Sequence, residues 1–137
     1  MIIVDDHLAL LAIAGQLPDL GADGPVVTTW SFQFRMARAV SDSARSGSLS
    51  RRLADPEAAA RGVLHLPSNR LVVLDPRSNI DDTVRVALTH RANLLLAELV
   101  GAAISHQASV RLTRANVGRT WPAIMEAESI DLAIITV

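Results

Sequence analysis

The chain has 137 residues, of which half are apolar and 3% aromatic, and its 13 basic and 14 acidic side chains leave a formal net charge of −1. This length predicts one domain with a full hydrophobic core, and the small net charge gives no overall field that would attract nucleic acid. The chain contains no cysteine, which excludes disulfides, thiolate chemistry and cysteine-based zinc sites.

The first fifteen residues predict a buried strand that leads directly into a helix. The apolar β-branched run of residues 2–4 is typical of a strand that is buried on both faces of a parallel sheet. Asp5 follows at the carboxyl end of this strand, which is where open α/β sheets place their ligand sites. Asp6 precedes an apolar helical pattern that stops at Gly15, and its short acceptor side chain predicts the N-cap of that helix.

The next segment predicts one well-defined helix between polar stretches. After a loop rich in Gly, Pro and Asp, residues 26–29 are either a short strand or an extended lead-in. Thr29 is the predicted N-cap of a helix over residues 30–40, whose wide apolar stripe favours core packing together with a dimer seam. The Ser-rich connector 41–50 is by default a solvated loop. Three arginines beside it are the best local candidates for contact with a polyanion: Arg45, Arg51 and Arg52.

The second half of the chain continues the alternation of strand and helix. Residues 71–74 predict a buried strand that ends at Asp75, as the first strand ends at Asp5. Two helices follow, and the second is apolar nearly all round except for Glu98, a lone carboxylate that needs a partner or a cation. The remaining predicted elements are helix caps at Asn79 and Asn93, a strand at 110–113, a loop at 114–116, a short helix near Pro122 and a final strand at 130–137. This order predicts a single α/β domain over residues 1–137 with a mostly parallel sheet.

Three oxygen-bearing side chains are predicted near one edge of this sheet. Asp5 ends a strand, Glu98 lies on the central helix, and Asn116 closely follows another strand. If they converge, they suit Mg²⁺ or Mn²⁺, hard cations that prefer carboxylate and water oxygens. Such a cation could activate water and clamp a phosphodiester. On spacing alone, structural roles are favoured: a cap or turn for Asp5, an arginine partner for Glu98, and loop formation for Asn116.

The opening MIIVDDHLALLAIAG resembles the start of PIN-domain proteins, above all the VapC-type toxin ribonucleases, in which an apolar strand delivers an aspartate. Residues 71–116 are similar in pattern as well, with a strand, an Ala-rich helix, a Leu/Ala-rich helix, a Val-Arg-Leu-Thr strand and an Arg-Ala-Asn loop. Residues 130–137 match the closing strand. The resemblance covers most of the chain and implies a PIN-like three-layer fold, in which helices flank a mostly parallel central sheet.

The acidic motif of this family carries over only in part. Asp5 matches the first metal-binding aspartate, and Asn116 lies where the family has Asp or Asn. The second acidic residue falls at positions 32–34, where only a glutamine is present. The third falls one or two positions before Glu98, and one position on a helix is a rotation of about 100°. Asp6 replaces a small hydroxyl residue of the family.

The resemblance implies a divalent-metal-dependent ribonuclease, the toxin component of a toxin–antitoxin pair. Asp5, Glu98 and Asn116 are then the catalytic residues, and Asp6 joins them as a ligand of Mg²⁺ or Mn²⁺. The implied partners are an RNA substrate, an antitoxin protein and a second copy of the chain. The alternative is a catalytically inactive PIN-like module that binds RNA or a protein partner. A different nucleotide-binding α/β protein is a weaker possibility, since the sequence has no Gly-rich phosphate loop.

Targeting signals and apolar stretches bear on location. No charged leader precedes the first strand, and the longest strongly apolar stretch, residues 93–104, is too short to cross a bilayer. These features predict a soluble cytoplasmic protein without membrane contact. An apolar surface for homodimerisation is the simplest explanation of the high mean hydropathy.

Overall fold

The computed structural model describes residues 1–41, 53–65 and 70–137. Within these ranges five strands form one sheet: β1 (Ile2–Val4), β2 (Val26–Thr28), β3 (Val72–Val73), β4 (Ser109–Thr113) and β5 (Leu132–Ile135). Their order is β3-β2-β1-β4-β5, and all four pairings are parallel. The α/β prediction with a mostly parallel sheet is therefore confirmed, and β1 is the central strand.

The described ranges contain six α-helices. They are α1 (Asp6–Ile13), α2 (Trp30–Ser41), α3 (Pro56–Leu64), α4 (Ile80–His90), α5 (Leu94–His106) and α6 (Trp121–Ala127). Short 3-10 turns at Pro76–Asn79 and Arg114–Asn116 precede α4 and follow β4. None of the helices in these ranges is long and apolar enough to span a membrane.

Two apolar clusters lie on opposite faces of the sheet. Ile2 and Val4 pack in a cluster with the buried residues of α1 and α3, whereas Ile3 packs in a second cluster with those of α4, α5 and α6. This division follows from the alternation of side chains along a strand. Helix α2 contributes Phe32 to the second cluster and Met36 to the first. The arrangement is consistent with the three-layer, PIN-like fold predicted from the sequence.

Three local predictions need correction or fall outside the described residues. The N-cap of α1 is Asp5, which has an extended backbone, while Asp6 is already helical. The strand at 71–74 was expected to be buried on both faces. It is the edge strand β3, and Val72 is 48% exposed. Residues 42–50 of the connector, and with them Arg45, Arg51 and Arg52, lie outside the residues that the structure describes.

Helices α4 and α5 approach closely where α5 carries Gly101. A Cβ built on Gly101 would lie 2.5 Å from Thr83 Oγ1 and 2.6 Å from the Thr83 backbone nitrogen. Because any larger residue would push the two helices apart, glycine is required here. The contact helps to position α5, the helix that carries Glu98.

Candidate functional site

Asp5 lies at the carboxyl edge of the sheet, between the end of β1 and the end of β4. Its backbone is extended (φ −75°, ψ 179°), and its Oδ1 accepts a hydrogen bond from the Leu8 backbone nitrogen at 3.0 Å, which caps α1. Strand β4 runs parallel beside β1, with Val4 opposite Arg111. The residues that follow Arg111 therefore emerge next to the Asp5 carboxylate.

The Asp5 carboxylate is fully buried and surrounded by donors. Its Oδ2 accepts from the Thr113 backbone nitrogen at 2.6 Å, from Thr113 Oγ1 at 2.7 Å and from Asn116 Nδ2 at 2.9 Å. Together with the bond from Leu8, four donors point at one carboxylate. Hydrogen bonding of this kind replaces the water that a buried charge has lost.

The amide of Asn116 connects Asp5 to Asp6. Asn116 Nδ2 donates to Asp5 Oδ2 at 2.9 Å and to Asp6 Oδ1 at 2.6 Å. Its Oδ1 accepts from Arg35 Nη2 at 3.3 Å. This orientation pairs every amide donor with a carboxylate and the amide acceptor with a cation. One neutral side chain thus occupies the position between the two carboxylates.

Arg35 supplies positive charge on the outer side of Asp6. Its Nε lies 3.4 Å from Asp6 Oδ2, and Asp6 Oδ1 also accepts from the His7 backbone nitrogen at 3.1 Å. Burial is the main reason that the pKa of Asp6 lies above its ordinary value. The charges of Arg35 and His7 and the bond from Asn116 lower this pKa, and the neighbouring Asp5 raises it further.

Glu98 is buried, but it points to the start of α2. Its Oε1 accepts from the backbone nitrogens of Trp30 at 2.8 Å and Ser31 at 3.4 Å, and its Oε2 accepts from the Ser31 hydroxyl. A carboxylate at a helix N-terminus satisfies unpaired amides and is stabilised by the helix dipole. Among the described residues, the partner that the sequence required for Glu98 is therefore the N-terminus of α2 and not an arginine.

Three of the four predicted site residues contact one another: Asp5, Asp6 and Asn116. Asp5 and Asp6 are nearly inaccessible, so solvent reaches this cluster mainly at Asn116 and Arg35. A neighbouring cleft of about 410 Å³ includes His7 and Thr113 among its lining residues, and His7 Nδ1 lies 3.4 Å from Thr113 Oγ1. Asp5 is thus reached from this cleft only through other side chains.

The donor set fits a divalent cation poorly. A cation between Asp5 Oδ2 and Asp6 Oδ1 would have to displace the Asn116 amide nitrogen from its present position. Mg²⁺ binds oxygen at about 2.0–2.1 Å in near-octahedral geometry and is reluctant to lose its water. Across residues 1–41, 53–65 and 70–137, no group of three or more histidine, aspartate and glutamate side chains is placed to hold a metal ion.

Two residues of the cluster were not singled out from the sequence. Thr113 was interpreted only as the end of a strand, although a strand paired in parallel with β1 must end beside Asp5. Arg35 lies in the helix predicted over residues 30–40 and was given no role there. An arginine on the polar side of the helix that follows β2, the neighbour of β1, is a usable signal for contact with this edge.

Comparison with known proteins adds no assignment. No protein-family model matches the sequence, and no curated protein matches it significantly. The function is therefore inferred from the geometry of the cluster and from the exposed surfaces.

Proposed function

We propose that this chain is a PIN-like module that acts by binding a partner and does not cleave RNA. The observation that carries the proposal is the position of Asn116 Nδ2, 2.9 Å from Asp5 Oδ2 and 2.6 Å from Asp6 Oδ1. With Arg35 at the outer oxygen of Asp6, one of the two negative charges that a metal ion would neutralise is already balanced within the protein.

The energetics of the cluster favour this interpretation. Hydrogen bonds to charged groups contribute about 1.5–3 kcal/mol each, and a bridging cation would have to replace both bonds from the Asn116 amide. Glu98 cannot compensate from its present position because both of its oxygens bind the start of α2. The cluster is therefore a structural element that joins α1, α2 and the end of β4.

A second copy of the chain is the partner that we propose. Ile80, Val84 and Leu88 follow one another at every fourth position of α4 and are 52%, 49% and 78% exposed. This spacing forms one uncharged apolar stripe along the helix. A twofold axis would place the same stripe of a second copy against it, so that apolar groups meet apolar groups. A polyanion such as RNA gains nothing from such a surface.

The first test measures manganese binding by the wild-type protein, using titration calorimetry and the electron paramagnetic resonance of free Mn²⁺. We expect no stoichiometric binding at millimolar Mn²⁺. We also expect no EDTA-sensitive cleavage of a structured RNA. Stoichiometric binding together with EDTA-sensitive cleavage would overturn the proposal.

The second test measures association by sedimentation equilibrium. We expect a dimer that Leu88→Glu dissociates. The matched control is Thr89→Glu, which places the same charge on the same helix at an exposed position beside the stripe. A monomeric wild-type protein, or equal loss of association in both variants, would contradict the proposed homodimer.

A metal-dependent ribonuclease is the second candidate, because Asp5, Asp6 and Asn116 do converge at the carboxyl edge of the sheet. In that case these residues would hold Mg²⁺ or Mn²⁺ after the Asn116 amide turned its oxygen inward. The ion would supply water activation and charge stabilisation at a phosphodiester. The chain would then be a cytoplasmic toxin with RNA as its substrate and an antitoxin as its partner, and the manganese experiment distinguishes the two candidates.

A further inference from the structure

A cationic cleft lies between the end of α4 and the start of α6, and it shares no residue with the cluster around Asp5. It has a volume of about 600 Å³, and its lining includes His90 and Arg91 from one side and Arg119, Thr120, Ala123 and Ile124 from the other. We propose that this cleft binds the phosphate group of a small phosphate monoester, with the organic part of the ligand on the apolar floor.

The two arginines of the cleft carry charge that the protein does not use. Arg91 and Arg119 are both exposed, and neither side chain makes an ion pair or hydrogen bond with any residue that the structure describes. Arginine presents a planar set of donors that matches phosphate oxygens in pairs. Two such side chains at one cleft suit a doubly charged phosphate monoester better than a singly charged carboxylate.

The carboxylate that contacts His90 of the cleft, Glu128, does not compete for these arginines. Glu128 binds Arg85 through both oxygens, at 3.1 and 3.2 Å, and its Oε1 lies 2.9 Å from His90 Nε2. These contacts, chiefly those with Arg85, hold the pKa of Glu128 below its usual value. Glu128 is therefore charged and already paired, which leaves Arg91 and Arg119 available for an external anion.

Arg91 ends α4 in the left-handed conformation (φ 51°, ψ 40°). This is a common way to end a helix, and Gln107 ends α5 in the same conformation. The helix end places Arg91 among the residues that line the cleft.

The rest of the cleft fits the organic part of such a ligand. Ala123 and Ile124 provide an apolar floor, and the Thr120 hydroxyl can donate or accept a hydrogen bond. The volume lies within the range of about 300–1,000 Å³ that is typical of small-molecule sites. Both the contacts of the phosphate with the arginines and the contacts of the organic group with Ala123 and Ile124 contribute to binding. An aromatic phosphate monoester is therefore expected to bind more tightly than inorganic phosphate.

The experiment titrates the full chain with phenyl phosphate, inorganic phosphate and phenol and follows backbone amide resonances by NMR. We expect saturable shifts around residues 90–91 and 119–124 with phenyl phosphate, weaker binding of inorganic phosphate and none of phenol. Arg91→Gln and Arg119→Gln are each expected to weaken binding by about tenfold, the effect of one lost charge-assisted hydrogen bond.

Arg61→Gln is the matched control, because Arg61 is an exposed arginine on α3, outside the cleft. Its affinity for phenyl phosphate is expected to equal that of the wild type. Absence of saturable shifts, shifts centred elsewhere, or equal weakening in the control variant would overturn the proposal. None of these results depends on manganese binding or on the dimer, so this proposal and the proposed function fail separately.

Discussion

Replacing Asn116 by aspartate tests the role of the amide in the cluster. Asn116→Asp removes the NH₂ group that donates at 2.9 Å to Asp5 and at 2.6 Å to Asp6, and puts a third carboxylate in its place. Losing two bonds to charged acceptors lowers the free energy of unfolding by about 3–6 kcal/mol at neutral pH. For a domain of this size, that loss lowers the Tm by about 10–20 °C.

The assay is differential scanning calorimetry at neutral pH in EDTA. The control is Asn93→Asp, which adds the same charge at the N-cap of α5, where the side chain accepts from the Leu96 nitrogen at 3.1 Å. Aspartate caps a helix as well as asparagine does, so this variant is expected to keep the wild-type Tm. At about pH 4 the deficit of Asn116→Asp should shrink, because crowded carboxyls take up protons readily.

Manganese provides the second half of the same test. With three carboxylates in place of two, Mn²⁺ is expected to raise the Tm of Asn116→Asp and to leave that of Asn93→Asp unchanged. The reasoning is refuted if Asn116→Asp melts within about 2 °C of Asn93→Asp in EDTA. It is also refuted if Mn²⁺ raises the Tm of both variants equally.

Three further outcomes are expected from urea unfolding. Glu98→Ala should lower the free energy of unfolding by about 1–3 kcal/mol. Glu98→Gln should lower it by about 1 kcal/mol, because glutamine keeps an acceptor at the start of α2. Equal losses in the two variants would contradict a charged cap. Because the pKa of Asp6 is raised in the folded state, the contribution of Asp6 to stability is largest below the ordinary aspartate pKa and falls as pH rises through the raised value. Asp6→Asn should remove this fall. Parallel pH profiles of stability for the variant and the wild type would refute this expectation. Gly101→Ala should lower the free energy of unfolding by about 1–3 kcal/mol, because the added Cβ would meet the backbone of Thr83. Gly62→Ala should lower it by less, because its Cβ would meet only one side-chain methyl group. The reverse order would disprove the close helix contact.

Local patterns in the sequence were sufficient to predict most of the elements. The β-branched run before Asp5 predicted β1, and Asn93 caps α5 through its side-chain oxygen as expected, whereas Asn79 precedes α4 without a side-chain cap bond. These signals work because strand burial and helix capping depend on neighbours within a few residues. Asp6 was the predicted cap of α1, and this was wrong by one residue, because Asp5 has the extended backbone of a cap and Asp6 is already helical.

Tertiary contacts account for what the sequence did not predict. Burial of Glu98 required a partner, but only the docking of α2 against α5 determines that the partner is the Trp30 amide. The contact between Arg35 and Asp6 depends on the rotation of α2 about its axis. The exposed face of β3 follows from its place at the sheet edge, which a run of apolar residues does not reveal.

The central position of β1 also determines when folding can finish. The first partner strand of β1 is β2, which follows about two dozen residues later in the chain. The second partner is β4, and its last residue, Thr113, lies 108 positions beyond Asp5. At a synthesis rate of about 5–20 residues per second, the ribosome needs about 5–20 s to produce that stretch. Until β4 has been made, one edge of β1 lacks its native partner strand.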